Sequence, residues 1–288
     1  MVVIKKKLRF IIFVLIFVIV SPIVVLYAKG DIFTDGWNIL QTGGIYATKA
    51  PLGSEIFLNG KSQGTTSFFS RDFLLKNLRP GTYTISAQKT GYNSWDEKVQ
   101  VKNNLVSDAN IFILPTQIPL QEIPKYTSTT TKIRNQEYTD IAAVFASSSS
   151  IIPKKILLAT TTDFKNNFGI KQSPIMSGKV GLWQEGDVIY SAWFGNDDAA
   201  PKYFCDAVDC TKTITVYDTE AAIRRINFLP DYDGVAVVAT GNEIYAIQIE
   251  NNPDKKPQLI YQGSAPDFRI IDGDLYVKDG TFIAQVQL

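Results

Sequence analysis

The stretch from Pro51 to Trp95 reads PLGSEIFLNGKSQGTTSFFSRDFLLKNLRPGTYTISAQKTGYNSW, and it decides the fold. Apolar or β-branched runs alternate in it with four turns that contain glycine, namely Pro51-Leu52-Gly53-Ser54, Asn59-Gly60-Lys61, Pro80-Gly81 and Thr90-Gly91-Tyr92. Asn-Gly favours the type I′ turn of a two-residue hairpin, because both of its residues tolerate positive φ. Glu55–Leu58 and the residues after Lys61 are therefore predicted to form one hairpin.

The residues around these turns alternate with the period of a β-strand. Tyr83, Ile85 and Ala87 alternate with Thr84, Ser86 and Gln88, and Val99 and Val101 repeat the pattern. Side chains two residues apart lie on the same face of a strand, so the pattern predicts strands with one buried and one solvated face.

The same stretch resembles the PEGA domain, a small β-sandwich found in bacterial and archaeal surface proteins. The resemblance covers residues 45–114 and rests on Pro51 with Gly53, Asn59-Gly60-Lys61, Gly64 with Thr66, Leu78-x-Pro80-Gly81-x-Tyr83 and Lys89-x-Gly91-Tyr92-x-x-Trp95. Leu52, Ser54 and Ser67 depart from the family pattern, in which Glu, Ala and Pro are usual. The resemblance implies a β-sandwich displayed in the cell envelope, with no known catalysis.

The N-terminal segment is predicted to cross a membrane. Phe10 to Ala28 contains no charged residue, and a helix of this length spans about 28 Å, close to the hydrocarbon thickness of a bilayer. The basic run Lys5-Lys6-Lys7-Leu8-Arg9 precedes it. By the positive-inside rule, residues 1–9 are a cytosolic tail and the bulk of the chain is extracytoplasmic. A cleaved signal peptide is the alternative to a retained anchor at 10–28.

Composition excludes several classes of function. The chain has 29 Lys plus Arg against 28 Asp plus Glu, which is too balanced for a protein that neutralises the phosphates of a nucleic acid. It contains no histidine. The commonest general base and every Ser-His or Cys-His pair are therefore excluded. We expect no cofactor, no metal and no nucleic-acid partner.

Residues 115–131 are rich in proline and threonine and separate two regions of the chain. Pro115, Pro119 and Pro124 lie close together there, which excludes a helix and favours a semi-rigid extended linker. An edge strand that leaves one domain and joins the next is the alternative, since edge strands tolerate proline.

Residues 132–288 are predicted to form propeller-like antiparallel β-repeats. Three segments echo one another as a turn followed by a strand that ends in tyrosine, namely Gly186-Asp187-Val188-Ile189-Tyr190, Gly241-Asn242-Glu243-Ile244-Tyr245 and Gly273-Asp274-Leu275-Tyr276. Their mean spacing is near the about 40 to 45 residues of a four-stranded propeller blade. The region supplies about three blades, whereas a closed ring takes at least four. A divergent fourth blade, an open sandwich and completion by another protomer are the alternatives.

Cys205 and Cys210 are the only cysteines, and strand-like residues flank them. A disulfide between them would close a short loop and stabilise the fold by about 2 kcal/mol. An extracytoplasmic location permits such a bond. Free thiols are the alternative, and a zinc site would need more ligands than two cysteines supply.

Aromatic and acidic side chains provide the remaining candidates. Tyr92, Trp95 and Trp193 are candidate rings for stacking on a ligand, although packing in the core also explains large rings of this kind. Paired carboxylates suited to glycan hydrolysis are Asp197 with Asp198, Asp231 with Asp233, and Asp272 with Asp274. All of them lie beside Gly, Pro or other turn residues, where aspartate commonly stabilises the turn itself.

The sequence as a whole predicts an all-β ectodomain that consists of a PEGA-like β-sandwich and a propeller-like domain behind an N-terminal transmembrane helix. The predicted function is a non-catalytic, membrane-anchored protein of the cell envelope that displays β-domains for scaffolding or binding. Its predicted partners are the membrane, an envelope protein or a cell-wall polysaccharide. The alternatives are a carbohydrate-binding module for peptidoglycan or surface glycans and a carboxylate-based glycan hydrolase.

Overall fold

The computed structural model describes residues 2–28, 32–33, 39–68, 72–125, 132–147, 173–196, 200–205, 210–250, 252 and 255–288. The chain divides into two compact units. Unit 1 comprises residues 1–89 and 95–111, and unit 2 comprises residues 90–94 and 112–288. Regular structure in both units is mostly β-strand, so the predicted all-β character is confirmed.

The N-terminal segment forms helix α1, Val2–Ala28, which contains Pro22. The prediction that residues 10–28 cross a membrane is wrong, because no helix within the described residues is long and apolar enough to span one.

The described residues of unit 1 form a short strand pair and two larger sheets, in one of which β3 and β9 are parallel. A short pair, β1 (Ile32–Phe33) and β2 (Ile39–Leu40), comes first along the chain. A three-stranded sheet has the order β6-β3-β9, with β3 at Gly43–Thr48, β6 at Phe73–Leu78 and β9 at Val106–Asn110. A four-stranded sheet has the order β5-β4-β7-β8, with β4 at Glu55–Leu58, β5 at Lys61–Thr65, β7 at Gly81–Gln88 and β8 at Trp95–Val101.

The predicted hairpin around Asn59-Gly60 is confirmed. Leu58 pairs with Lys61, and both turn residues have the positive φ of a type I′ turn, 49° at Asn59 and 76° at Gly60. The alternation in β7 is also as predicted, since Ile85 and Ala87 are fully buried.

The two sheets of unit 1 face each other across a small core. The three-stranded sheet contributes Ile45, Ala47 and Ala109, and the four-stranded sheet contributes Ile56, Ile85, Ala87 and Val101. Strands β3 and β8 are in contact. A Cβ atom built on Gly43 in β3 would lie 2.7 Å from Cγ1 of Val101 in β8, so only glycine permits this close approach.

The described residues of unit 2 form three four-stranded antiparallel sheets. The first sheet consists of β11 (Ile175–Ser177), β12 (Val180–Glu185), β13 (Val188–Trp193) and β14 (Thr213–Asp218). The middle sheet consists of β15 (Arg225–Phe228), β16 (Val235–Ala239), β17 (Glu243–Gln248) and β18 (Gln258–Gln262). The last sheet has the order β10-β21-β20-β19, with β10 at Leu120–Glu122, β19 at Asp267–Ile271, β20 at Asp274–Asp279 and β21 at Phe282–Val286.

The middle sheet is buried on both faces. Along β16, Val235, Val237 and Ala239 pack with side chains of the last sheet such as Phe268 and Val277. Ala236 and Val238 point the other way and pack with side chains of the first sheet such as Leu182 and Ile189. This is why β16 reads Val-Ala-Val-Val-Ala without a polar residue.

Helix α2, Lys132–Ala146, covers the remaining face of the last sheet. Its Ile141 and Phe145 pack against Ile283 of β21 and Tyr276 of β20. The hydroxyl of Tyr138 donates to the carbonyl oxygen of Thr281 at 2.9 Å. These contacts fix the helix along the sheet.

The prediction of propeller-like repeats is wrong, because no propeller closes among the described residues. The described part of residues 132–288 and β10 supply three four-stranded sheets, and a ring usually takes at least four blades. The face of the last sheet on which a further blade would pack is covered by α2. The three Gly-containing segments do begin strands directly after turns, but these strands are β13, β17 and β20 of an open stack.

Residues 120–122 form the edge strand β10 inside the proline-rich segment. Leu120 pairs with Val286, and Glu122 pairs with Ala284. The structure of this part of the segment is therefore an edge strand, which was the alternative to a free connector.

Candidate functional site

The sulfur atoms of Cys205 and Cys210 are 1.99 Å apart, at the distance of a disulfide. The pair follows a 3-10 helix, Lys202–Phe204. The side chain of Phe204 is fully buried among residues of the first and middle sheets, and Thr211 donates its backbone N–H to the carbonyl oxygen of Phe204 at 2.9 Å. The cysteine pair thus begins directly after the buried Phe204.

The candidate stacking rings differ in accessibility. Trp95 is 6 % exposed and Trp193 is 9 % exposed. Trp193 also donates from Nε1 to the carbonyl oxygen of Asn196 at 2.9 Å. Both rings lie within packed regions of their units, and Tyr92 alone is half-buried.

The candidate carboxylates lie in exposed turns wherever they are described. Asp231 and Asp272 have positive φ, 61° and 51°, and both are exposed, as are Asp233 and Asp274. Asp197 and Asp198 lie outside the described residues. Among the residues that are described, no group of three or more Cys, Asp or Glu side chains could hold a metal ion.

An ionic contact joins the middle and last sheets of unit 2. Nε of Arg225 lies 2.7 Å from Oδ1 of Asp267, and Nη1 of Arg269 lies 2.7 Å from Oδ2 of the same carboxylate. Arg269 also donates from Nη2 to the carbonyl oxygen of Phe145 at 3.3 Å, close to the C-terminal end of α2. Burial raises the pKa of Asp267, but the hydrogen bonds and charges of Arg225 and Arg269 outweigh it and hold that pKa below its ordinary value.

A buried Lys–Glu pair lies in the loop after β17. Nζ of Lys255 donates to the carbonyl oxygen of Glu250 and, at 3.5 Å, to that of Thr215 in β14. Burial lowers the pKa of Lys255 to about 8, while the charge of Glu250 opposes this shift. Burial raises the pKa of Glu250, and Lys255 opposes that shift in turn. The pair ties the loop to the first sheet.

The outer face of the three-stranded sheet in unit 1 exposes apolar side chains. Leu74 of β6 lies opposite Tyr46 of β3, and Val106 of β9 lies opposite Gly44 of β3. Leu74 is 45 % exposed, Tyr46 37 % and Val106 54 %. We call Leu74, Gly44, Tyr46 and Val106 the apolar face.

Gly44 is buried in the middle of the apolar face. A Cβ atom built on Gly44 would lie 2.8 Å from the carbonyl oxygen of Leu75, 3.7 Å from Cγ2 of Val106 and 3.8 Å from Cδ1 of Leu74. The two aliphatic side chains therefore stand on either side of a position that has no side chain. The carbonyl oxygen of Leu75 leaves no room for a methyl group at that position.

Two aspartates border the apolar face. The hydroxyl of Tyr46 donates to Oδ2 of Asp72 at 2.9 Å, and Asp108 pairs with Tyr46 across β3 and β9. The hydrogen bond and the charge of Asp72 raise the pKa of Tyr46, and the charge of Asp108 adds to the shift.

The outer face of the four-stranded sheet is different in character. Its cross-strand pairs are polar, namely Ser86 with Asp96, Thr84 with Lys98 and Thr82 with Gln100. Phe57 is the apolar side chain that lies on this face, opposite Ser86, and it is half-buried. The two outer faces of unit 1 are thus not equivalent.

Sequence reasoning missed the apolar face, although one signal was present. Phe73-Leu74-Leu75 is a run of three apolar residues in a strand, and alternation forces one of them onto the outer face. The Arg225–Asp267 contact had no comparable signal, because nothing in the local pattern relates residues so far apart along the chain.

No family model matches this chain, and a search of the curated proteins finds no match either. The resemblance of residues 45–114 to the PEGA domain therefore stays a prediction.

Proposed function

We propose that this chain is a non-catalytic protein of the cell envelope that presents β-sheet surfaces to a binding partner. The observation that carries the proposal is the contrast between the two outer faces of unit 1. Single exposed apolar residues are ordinary on protein surfaces, but a contiguous group on one face of a small unit is typical of an interaction site.

The cysteine pair supports an extracytoplasmic location. Disulfides persist in oxidising compartments and are rare in the cytosol. Because Cys205 and Cys210 lie at bonding distance, the proposed function includes display outside the cytoplasm.

The packing of unit 2 supports a scaffolding role. Its middle sheet is covered on both faces, and its arginine and aspartate side chains join neighbouring sheets. A unit of this kind holds a fixed shape, which is what a display protein needs.

The test is differential alkylation on intact cells. We expect Cys205 and Cys210 to resist a membrane-impermeant maleimide until an impermeant phosphine reductant is added, after which both sulfurs react. Labelling of both thiols only after lysis, without any reductant, would contradict the proposed location.

Glycan binding is the second candidate, because the ring of Tyr92 remains half-exposed. Sedimentation of the protein with purified cell wall separates the candidates. Tyr92→Ala abolishes co-sedimentation if the ring stacks on a sugar, and it leaves the protein unaffected if a protein partner is bound elsewhere.

A further inference from the structure

We propose that Cys205 and Cys210 form a thiol–disulfide exchange site, at which the sulfur of Cys210 is attacked by the thiolate of an external thiol. This inference goes beyond the proposed function, because it assigns a reaction to a bond that otherwise only stabilises the fold. Three features carry it: the unequal exposure of the two cysteines, an acceptor beside the sulfur of Cys205, and backbone contacts that hold the two residues together without the bond.

The two cysteines differ in their exposure to solvent. Cys210 is exposed and is followed by the exposed residues 211–213. Cys205 is half-buried and directly follows Phe204, whose side chain is fully buried. A thiolate has to reach a disulfide sulfur in order to attack it, so access decides which of the two sulfurs reacts. The exposed sulfur of Cys210 is therefore the one that accepts the thiolate.

The reaction exchanges one sulfur–sulfur bond for another. The external thiolate forms a bond to Sγ of Cys210, the bond between Cys210 and Cys205 breaks, and its electron pair leaves on Sγ of Cys205, which takes a proton from water. Attack by Cys205 on this mixed disulfide restores the original bond and releases the external thiol. A second external thiolate that attacks the mixed disulfide instead leaves both cysteines reduced, and the external thiol is oxidised to its own disulfide.

A backbone carbonyl lies beside the sulfur that leaves. The carbonyl oxygen of Pro201 is 3.9 Å from Sγ of Cys205. While the disulfide is intact, this sulfur carries no proton to donate. Once Cys205 is a thiol, its S–H can donate to that oxygen, which is the weak hydrogen bond that thiols make. The released thiol of Cys205 thus has an acceptor within reach.

Backbone contacts hold the two cysteines opposite each other independently of the disulfide. Cys205 and Cys210 form an isolated antiparallel bridge. Next to this bridge, Thr211 donates to the carbonyl oxygen of Phe204 from its backbone N–H at 2.9 Å and from its hydroxyl at 3.3 Å. The two thiols of the reduced chain therefore stay close together, and groups held in this way react at a high effective concentration. The bond can thus form again within the folded chain.

The test maps the exchange on the purified full chain, with reduced glutathione as the external thiol. Glutathione is added for increasing times, free thiols are blocked with N-ethylmaleimide, and the chain is digested with trypsin. Lys202 and Lys212 bracket the cysteine pair, so one peptide, residues 203–212, contains both cysteines, and its fragment masses place each label. We expect glutathione on Cys210 with maleimide on Cys205, in at least about fivefold excess over the opposite arrangement, because access to the sulfur controls the attack.

Single-cysteine variants measure the two sulfurs separately. With glutathione disulfide as the probe, the thiol of Cys210 in Cys205→Ser should be glutathionylated at least about fivefold faster than the thiol of Cys205 in Cys210→Ser, because it is the more exposed of the two. Circular dichroism of both variants checks that the sheets are intact. In the wild type, the equilibrium with glutathione should favour the disulfide about thirtyfold more in the folded chain than in urea, because the disulfide and the fold stabilise each other by the same factor.

Three results would overturn the inference. The first is exchange that requires urea, since a disulfide that reacts only in the unfolded chain is purely structural. The second is glutathione that is distributed equally between the two cysteines or found mainly on Cys205. The third is an equilibrium with glutathione that is the same in the folded chain and in urea. All of these measurements use the purified chain, so they can fail without affecting the proposed location, which alkylation of intact cells tests separately.

Discussion

The side-chain carbonyl of Gln258 accepts a hydrogen bond from the backbone N–H of Leu114 at 2.6 Å. The amide nitrogen of the same side chain donates to the carbonyl oxygen of Phe112, also at 2.6 Å. Gln258 is 6 % exposed. One buried amide therefore satisfies a donor and an acceptor of the segment that leads into β10, and it holds that segment against β18.

Replacing Gln258 tests how much this amide contributes. Gln258→Leu leaves the N–H of Leu114 and the carbonyl of Phe112 buried without their partner, and each unsatisfied group costs about 1 to 3 kcal/mol. We expect the free energy of unfolding in urea to fall by about 3 kcal/mol. Gln262→Leu is the control, because Gln262 bonds to Glu243 at the surface. A similar loss in both variants would contradict the assigned role.

Asp267 should contribute strongly to stability at neutral pH. Asp267→Asn removes the charge that two arginines share, and Arg269 is only 9 % exposed. Hydrogen bonds to charged groups contribute about 1.5 to 3 kcal/mol. We expect chemical unfolding at pH 7 to show a loss of about 2 kcal/mol. Asp274→Asn, at the exposed first residue of β20, should change stability by less than about 0.5 kcal/mol.

The contribution of Asp267 to the free energy of unfolding should decrease at low pH. Its carboxyl has a lower pKa in the folded chain than in the unfolded chain. The stabilisation is therefore complete above the ordinary value of about 4 and is lost as the pH falls through the lower folded pKa. The stability difference between wild type and Asp267→Asn should shrink below about pH 4. A difference that stays constant down to pH 2 would show that the arginines contribute packing alone.

Lys255 should react with acylating reagents at unusually low pH. Its folded pKa is about 8, whereas an ordinary lysine loses its proton near 10.4. Competitive labelling with acetic anhydride, read by mass spectrometry, should give a midpoint near pH 8 for Lys255. Glu250→Gln should lower the Lys255 midpoint further, because the opposing charge is removed. A midpoint near 10 would contradict burial of the amine.

The lowered pKa of Lys255 also makes the stability of the fold depend on pH. Between about pH 8 and about pH 10 the unfolded chain binds a proton at Lys255 that the folded chain does not bind. Stability from this group therefore rises with pH across that range. Lys255→Met should flatten the rise in an unfolding series from pH 7 to pH 10.

Removing the cysteine pair should destabilise unit 2. In the chain-entropy account, a loop this short contributes about 2 kcal/mol. The double variant Cys205→Ser, Cys210→Ser and the reduced wild type should both lose about this amount in urea unfolding. Addition of reductant should leave the double variant unchanged. If reductant lowered the free energy of unfolding of the double variant as well, the loss in the wild type could not be assigned to the disulfide.

The predictions that the structure confirms are those that depend on a few neighbouring residues. Asn59-Gly60 determines its turn through positive φ at two adjacent residues, and the alternation from Tyr83 to Ala87 determines which face of β7 is buried. Both signals lie within a few residues of the element that they describe. Short-range patterns of this kind are readable without any knowledge of the tertiary structure.

Relationships between distant elements were not readable in the same way. The tyrosine-ending segments predicted repeats, but no property of Gly186 or Gly241 reveals how many sheets follow or that α2 covers the last one. The apolar run at Phe10 was interpreted from hydropathy alone. Leu74 and Val106 come together only because β3 lies between β6 and β9, a strand order that loop sequences do not encode.

The position of α2 on the last sheet limits how the stack of sheets can grow. A sheet that exposes a flat apolar surface can pack against a sheet of another molecule. Repeat proteins avoid this association with a capping element at each end. Phe145 and Ile141 occupy that surface here. A sheet of a neighbouring molecule could pack on this surface only after α2 had been displaced. The helix therefore opposes fibre formation at this end of the stack.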